Sequence, residues 1–131
     1  MIAPKFPIDE AQRLAAVRSY HLLDTLPEKD FDNITALTAN ICDVPISLVT
    51  LLDADRNFLK SHYGIPFNES PRDISFCGHA ILEESNIFII EDARKDDRFK
   101  DNPLVTDMNA IFYAGVRLVN SDGYPLGTLC V

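Results

Sequence analysis

The sequence predicts an α+β domain: one antiparallel sheet of five or six strands with helices packed on it. Two helical patterns fill the first third of the chain, and the remainder breaks into short strand-like runs separated by Gly, Pro and Asp. The last two runs meet at Ser121-Asp122-Gly123, where Asp-Gly favours a tight hairpin. At 131 residues and 47% hydrophobic, the chain suffices for one domain with a sizeable core, whereas two domains would each be too thin.

The elements follow in order. From Asp9 to Leu22, residues Ala11, Leu14, Ala15 and Leu22 fall within about 100° of a helical wheel, with Glu10, Arg13 and Arg18 mostly outside that stripe. This is an amphipathic lead-in helix. Thr25 and Glu28 have capping-box spacing and Pro27 suits a first turn, so a second helix is expected to begin there. Its core face is predicted to be Phe31, Ile34, Leu37, Thr38, Ile41 and Cys42, and Asp43 to Pro45 end it. Ile46 to Leu52 is apolar on both alternating faces apart from Ser47 and Thr50, as in a central strand covered on both sides. In Asn57 to Tyr63, Phe58, Lys60 and His62 alternate with Leu59, Ser61 and Tyr63; one of these faces is expected to look into a polar cavity. Asn68 to Asp73 is a predicted loop, Ser75 or Asp73 caps a helix reaching Glu84, and Ile87 to Ile90 is a short strand. Asp92 to Asn109 is a long connection with one helical turn at most. Ile111 to Asn120 and Tyr124 to Val131 form the closing hairpin.

Charge and motifs exclude several functions. Twelve Lys and Arg against twenty Asp and Glu leave a net charge of −8, which repels nucleic-acid phosphates and acidic bilayers. No apolar run approaches the roughly 20 residues that cross a bilayer, and no secretory signal opens the chain. Cys42, Cys77 and Cys130 are scattered without a Cys-x-x-Cys pair, so neither a disulfide framework nor a zinc site is indicated, and a reducing cytoplasm fits. Phosphate-binding loops, serine-nucleophile elbows and zinc-protease motifs are absent from the sequence. No catalytic residue and no metal ligand is assigned.

The chemistry-bearing residues cluster between Arg72 and Leu82. Cys77 sits in the first turns of its helix, where unpaired amides favour a thiolate. His79, two residues on, points roughly 200° away, which disfavours a Cys–His nucleophile pair. Arg72 and Asp73 precede the helix where loops commonly frame a pocket, and Arg can hold a carboxylate or phosphate through two bonds. Candidate pocket residues are Phe58, Lys60, Arg72, Asp73, Ser75, Phe76, Cys77, His79, Asp92, Phe99, Asn102 and Tyr113. Phe99 and Leu104 are expected to anchor the long connection to the core, and Asp92 to Asp101 reads as a solvated charge run.

Arg72 to Ala80 (Arg-Asp-Ile-Ser-Phe-Cys-Gly-His-Ala), with Asp92 to Val105, Phe112-Tyr113-Ala114-Gly115 and Leu126 to Val131, closely resembles a bacterial GAF domain of the kind that precedes histidine kinases and diguanylate cyclases. The resemblance implies helices on one face of the sheet and a loop-enclosed pocket on the other. It divides the chain into a lead-in helix at 1–24 and a GAF domain at 25–131, truncated before the C-terminal helix that normally follows the last strand. It further implies a non-catalytic sensory module of a cytoplasmic signal-transduction protein such as a two-component system. The implied partners are an unidentified small ligand, an attached output domain and a second copy of the full-length protein. No cofactor is named. The alternatives it leaves are a thiol-dependent enzyme of the free methionine sulfoxide reductase type and a bilin or haem sensor. For the former, Cys77 is the one thiol expected in the pocket-forming part, without a resolving partner.

Overall fold

The computed structural model describes residues 2–131. Helices α1 (Glu10–Ser19) and α2 (Lys29–Cys42) precede strands β1 (Ser47–Leu52), β2 (Arg56–Tyr63) and β3 (Glu69–Pro71). A short helix α3 (Phe76–Ala80), strand β4 (Phe88–Ile90), a one-turn helix α4 (Pro103–Thr106) and strands β5 (Tyr113–Val119) and β6 (Pro125–Cys130) complete the chain. The six strands form one sheet in the order β3-β2-β1-β6-β5-β4, and every neighbouring pair is antiparallel. This is the α+β architecture expected from the sequence, with β3 added where a loop was expected.

Two adjacent residues of β1 show the layering, because neighbours on a strand point to opposite faces. Leu51 packs with Val17 of α1, Phe58 and Leu126, while Leu52 packs with Phe76 and Ala80 of α3 and with Phe99. One face therefore carries α1 and α2, and the other carries α3 and the long connection. β6 reaches the centre of the sheet through Gly127, where a Cβ would overlap the Thr50 carbonyl oxygen. Only glycine permits that approach.

Four expectations about the helices are corrected. The stripe of Ala11, Leu14, Ala15 and Leu22 does not bury α1: Ala11 and Ala15 are exposed, and Arg13 and Val17 are the buried residues. Arg13 is drawn inward because its guanidinium bonds the Leu52, Pro125 and Leu126 carbonyls and the Glu10 carboxylate. A charge with that many partners is stable where an unpaired one is not. Second, α2 starts at Lys29, not Thr25, because the Thr25 hydroxyl accepts from Lys60 Nζ at 2.6 Å and donates to the Leu22 carbonyl. Third, α2 turns Thr35 and Ala39 inward and leaves Ile34, Leu37, Ile41 and Cys42 exposed. The small residues let the helix sit close enough for Thr35 Oγ1 to reach Ser61 Oγ at 2.9 Å. Last, α3 stops at Ala80 instead of Glu84.

Candidate functional site

The site lies on the face opposite α1 and α2. It begins with Ser75, whose Oγ accepts from the Gly78 amide and donates to the Arg72 carbonyl, fixing the first turn of α3. That turn presents Phe76 and Cys77 to the sheet. Asn102 ties the long connection over them: its Oδ1 accepts from Leu104 N to start α4, and its Nδ2 donates to the Ile74 carbonyl at 2.8 Å. Phe99 is fully buried, with its ring 4.7 Å from that of Phe76 and 4.8 Å from that of His79. As expected, it anchors the connection.

A cavity of about 380 Å³ is left between β1, β2, α3, α4 and the segment leading into β5. Its walls are mainly apolar: Leu48, Leu59, Ile65, Phe67, Met108, Ile111 and Phe112, with Phe76 and Tyr113 at the α3 side. Such a volume and lining suit a small organic ligand held by a few polar groups. One polar group is Asn57 on β2, nearly buried, whose Oδ1 has no hydrogen-bond partner. A buried acceptor without a donor carries a desolvation penalty of about 1–3 kcal/mol that a donor would relieve.

The second polar feature is a cluster of hydroxyls and thiols. Cys77 Sγ and Cys130 Sγ lie 3.8 Å apart, and both residues are buried and line the cavity. Cys77 Sγ accepts from Tyr113 Oη at 3.3 Å and from Thr128 Oγ1 at 3.2 Å. Thr128 N donates to Thr50 Oγ1 at 3.1 Å, and the Thr50 and Thr128 hydroxyls are 2.8 Å apart. One proton per hydroxyl orders the chain: Thr50 donates to Thr128, which donates to Cys77. Gly115 makes room for the Tyr113 hydroxyl, which a Cβ there would crowd. Hydrogen bonding from Cys130, then from Thr128 and Tyr113, brings the Cys77 thiol down to about 6 against the opposing effect of burial. The Cys130 thiol moves up, because its proton is shared with Cys77 and because it is buried. Burial, followed by the two sulfurs, raises Tyr113.

Of the twelve residues selected from the sequence, Ser75, Phe76, Cys77 and Tyr113 line this cavity. Phe58 and Lys60 face the other way. Val49 pairs with Ser61 and Thr50 with Leu59, so Lys60 is an extra residue in a β-bulge. Phe58 packs under α1, while Lys60 Nζ bonds Thr25 Oγ1 and the Leu26 carbonyl and pairs with Glu28. Both border a separate cleft of about 610 Å³ on the helix side, but the ammonium there is fully engaged by the protein itself. Arg72 is buried against the Glu10 carboxylate and the Asp53 carbonyl, with the Phe6 ring over its guanidinium. It fastens α1 to the β1–β2 turn. Burial alone would raise the Glu10 carboxyl, yet the hydrogen bonds from Arg13 and Arg72 prevail and hold it at about 2.

Asp73 is exposed, and Ser75 is the residue that caps α3. His79 Nε2 donates to the Ile2 carbonyl at 2.9 Å, pinning the N-terminal segment across α3. Burial moves the His79 imidazole down. Asp92 accepts from the Arg94 amide and guanidinium, and Asp96 repeats the arrangement with Arg98. The acidic connection is thus a run of local Asp–Arg turns. Among the described residues, no group of three or more His, Cys, Asp or Glu could hold a metal ion.

Sequence reasoning missed Asn57 and Cys130. Asn57 carried a signal in its alternation with Leu59, obscured by assigning the pocket to the Phe58 parity. For Cys130 the signal was the Thr128-Leu129-Cys130 spacing on a strand, which puts a hydroxyl and a thiol on one face. The expectation that Cys77 has no thiol partner in the pocket is corrected by Cys130.

The sequence model of the GAF domain family matches residues 27–131. The chain belongs to the GAF domain family. This GAF domain is 38% identical over 132 residues to the "Cyclic di-GMP phosphodiesterase PA2567" of Pseudomonas aeruginosa, an alignment that takes in 100% of this chain and 22% of that protein. The chain thus spans about a fifth of the length of that relative. Among solved structures, a putative GAF sensor protein from Burkholderia vietnamiensis superposes with a TM-score of 0.61 at 18% identity, covering 92% of this chain and 74% of that one. The free methionine-R-sulfoxide reductase from Neisseria meningitidis, determined with its substrate, gives 0.60 at 19% identity, covering 99% and 79%. At such identities these structures establish the shared GAF fold. No helix among the described residues is long and apolar enough to cross a membrane.

Proposed function

We propose that this GAF domain is a non-catalytic regulatory module that binds a small, largely apolar molecule in the 380 Å³ cavity and thereby biases an attached signalling enzyme. The observation that carries the reading is Asn57 Oδ1, a buried acceptor without a partner on the wall of an apolar cavity. The ligand is a molecule with an apolar body and one hydrogen-bond donor aimed at Asn57. Its entry changes packing between α3, α4 and the sheet, and the sheet passes that change to α1 and α2 through β1 and β2. The activity of the Pseudomonas aeruginosa relative points to an output that turns over cyclic di-GMP, alongside the histidine kinases and diguanylate cyclases suggested by the sequence motifs. A cytoplasmic setting accords with free cysteines at all three positions. Ile34, Leu37 and Ile41, exposed at 45%, 60% and 74% along one side of α2, are the proposed contact with a second copy of the full-length protein.

Native mass spectrometry of the isolated protein, combined with a thermal-shift screen of small organic molecules, tests the pocket. Expected is a compound that is retained or raises the melting temperature, with the effect lost in Asn57→Leu. A protein that retains nothing and responds equally with Asn57 or Leu at that position would remove the reading.

A further inference from the structure

The pair of buried thiols is unused by the ligand reading and stands independently of it. We propose that Cys77 and Cys130 form a peroxide-responsive modification site, in which Cys77 is the sulfur that peroxide oxidises and Cys130 closes a disulfide onto it. Three features of the structure define the site. The sulfurs are 3.8 Å apart, so bonding at about 2.05 Å requires a shift of less than 2 Å between α3 and the end of β6. Two hydroxyl donors, Tyr113 and Thr128, converge on Cys77, the arrangement that stabilises a thiolate. Both cysteines line the cavity, which gives a peroxide a route to sulfurs otherwise shut from solvent. Cys42 shares none of these features; it is exposed at the end of α2.

The chemistry balances as two thiols and one hydrogen peroxide giving one disulfide and two waters. The Cys77 thiolate attacks one peroxide oxygen, the O–O bond breaks, and the departing hydroxide takes up the proton that Cys77 released, leaving a sulfenic acid. Cys130 then loses its proton and attacks the Cys77 sulfur; the S–O bond breaks, and the hydroxyl leaves with that proton as the second water. The peroxide gains the two electrons that the two sulfurs lose. Closing the bond shifts Cys77, and with it α3 and Phe76, relative to β6 at the cavity wall. Oxidation therefore reshapes the same wall that a ligand would touch. An external dithiol reverses it by thiol–disulfide exchange.

The test uses the whole chain carrying Cys42→Ser, so that no exposed thiol competes. Hydrogen peroxide is added, remaining thiols are alkylated under denaturing conditions, and peptides are mapped without reduction. Expected is a linked peptide containing Cys77 and Cys130, loss of alkylation at both positions, and recovery of both with dithiothreitol. With Cys130→Ser added, Cys77 is expected to stop at a sulfenic acid that dimedone captures. The proposal is overturned if both thiols remain alkylatable at peroxide doses that oxidise Cys42 in the unsubstituted chain. It is equally overturned if Cys77 passes to a sulfinic acid with Cys130 still free. The mapping of the Cys42→Ser chain needs no substitution in the core, so a folding defect of the double variant leaves it decisive.

Discussion

On the helix-covered face of the sheet, buried charges and hydroxyls are bound by other parts of the protein. Arg13 bonds three carbonyls and Glu10, Arg72 bonds Glu10 and the Asp53 carbonyl, and Thr35 and Asp32 both bond Ser61. Ser47 is the exception: its Oγ is buried without a partner, and the packing offers no account of it. On the opposite face, aromatic rings pack tightly beside a cavity where Asn57 Oδ1 is orphaned and the Tyr113 and Thr128 hydroxyls converge on the Cys77 sulfur. The difference teaches where specificity was placed. Polar groups lock α1 and α2 onto the sheet on one side; on the other, beside the Ser75 and Asn102 ties, Asn57 and the two thiols are the groups proposed to meet a ligand or an oxidant.

The largest test of this contrast is Phe99→Ala. The ring is fully buried between Phe76 and His79, and its removal should lower stability by about 3–5 kcal/mol in urea denaturation. A loss under about 1 kcal/mol would mean that the long connection is not held by the core and that the cavity wall is soft. Next, Arg13→Ala should cost about 3 kcal/mol by leaving Glu10 short of a cation and the Leu52 carbonyl without its donor. A near-neutral result would break the account of the helix-covered face. Asn57→Ala sharpens the comparison from the other side, since an acceptor without a partner contributes nothing favourable to the free protein. Its unfolding free energy should stay level or rise, by at most about 1 kcal/mol, whereas Thr35→Ala should lose about 1 kcal/mol with its bond to Ser61.

The last test is of pH dependence. Glu10 is held at about 2 in the folded protein against an ordinary 4.5, so the stability it contributes is complete above 4.5 and is lost as pH falls toward 2. Melting temperatures measured across that interval should fall less steeply for Glu10→Gln than for the unsubstituted protein. Parallel slopes would show that the Arg13–Glu10–Arg72 cluster is not responsible.

The architecture was legible in the sequence because it depends on local chemistry. Alternating apolar runs, the Asp-Gly turn and the Ser75 cap each act within a few residues, and they gave β1, the β5–β6 hairpin and the start of α3. The Arg72 to Ala80 motif likewise marked the family. Helix faces were less legible. Ile34, Leu37 and Ile41 share a stripe that hydrophobicity alone turns inward, yet the contact with β2 needed the small Thr35 and Ala39.

The sequence by itself determined β1, β2, β4, β5 and β6, their order of appearance and the thiol at the mouth of α3, because propensity, turn chemistry and capping are properties of neighbouring residues. Tertiary structure alone decided which strand parity faces the cavity, since the bulge at Lys60 arises from pairing β2 with β1. It also alone brought Cys130 to within 3.8 Å of Cys77 across 53 residues of chain, a distance set by how closely β6 lies against β1 at Gly127 and by where Asn102 holds the loop over α3.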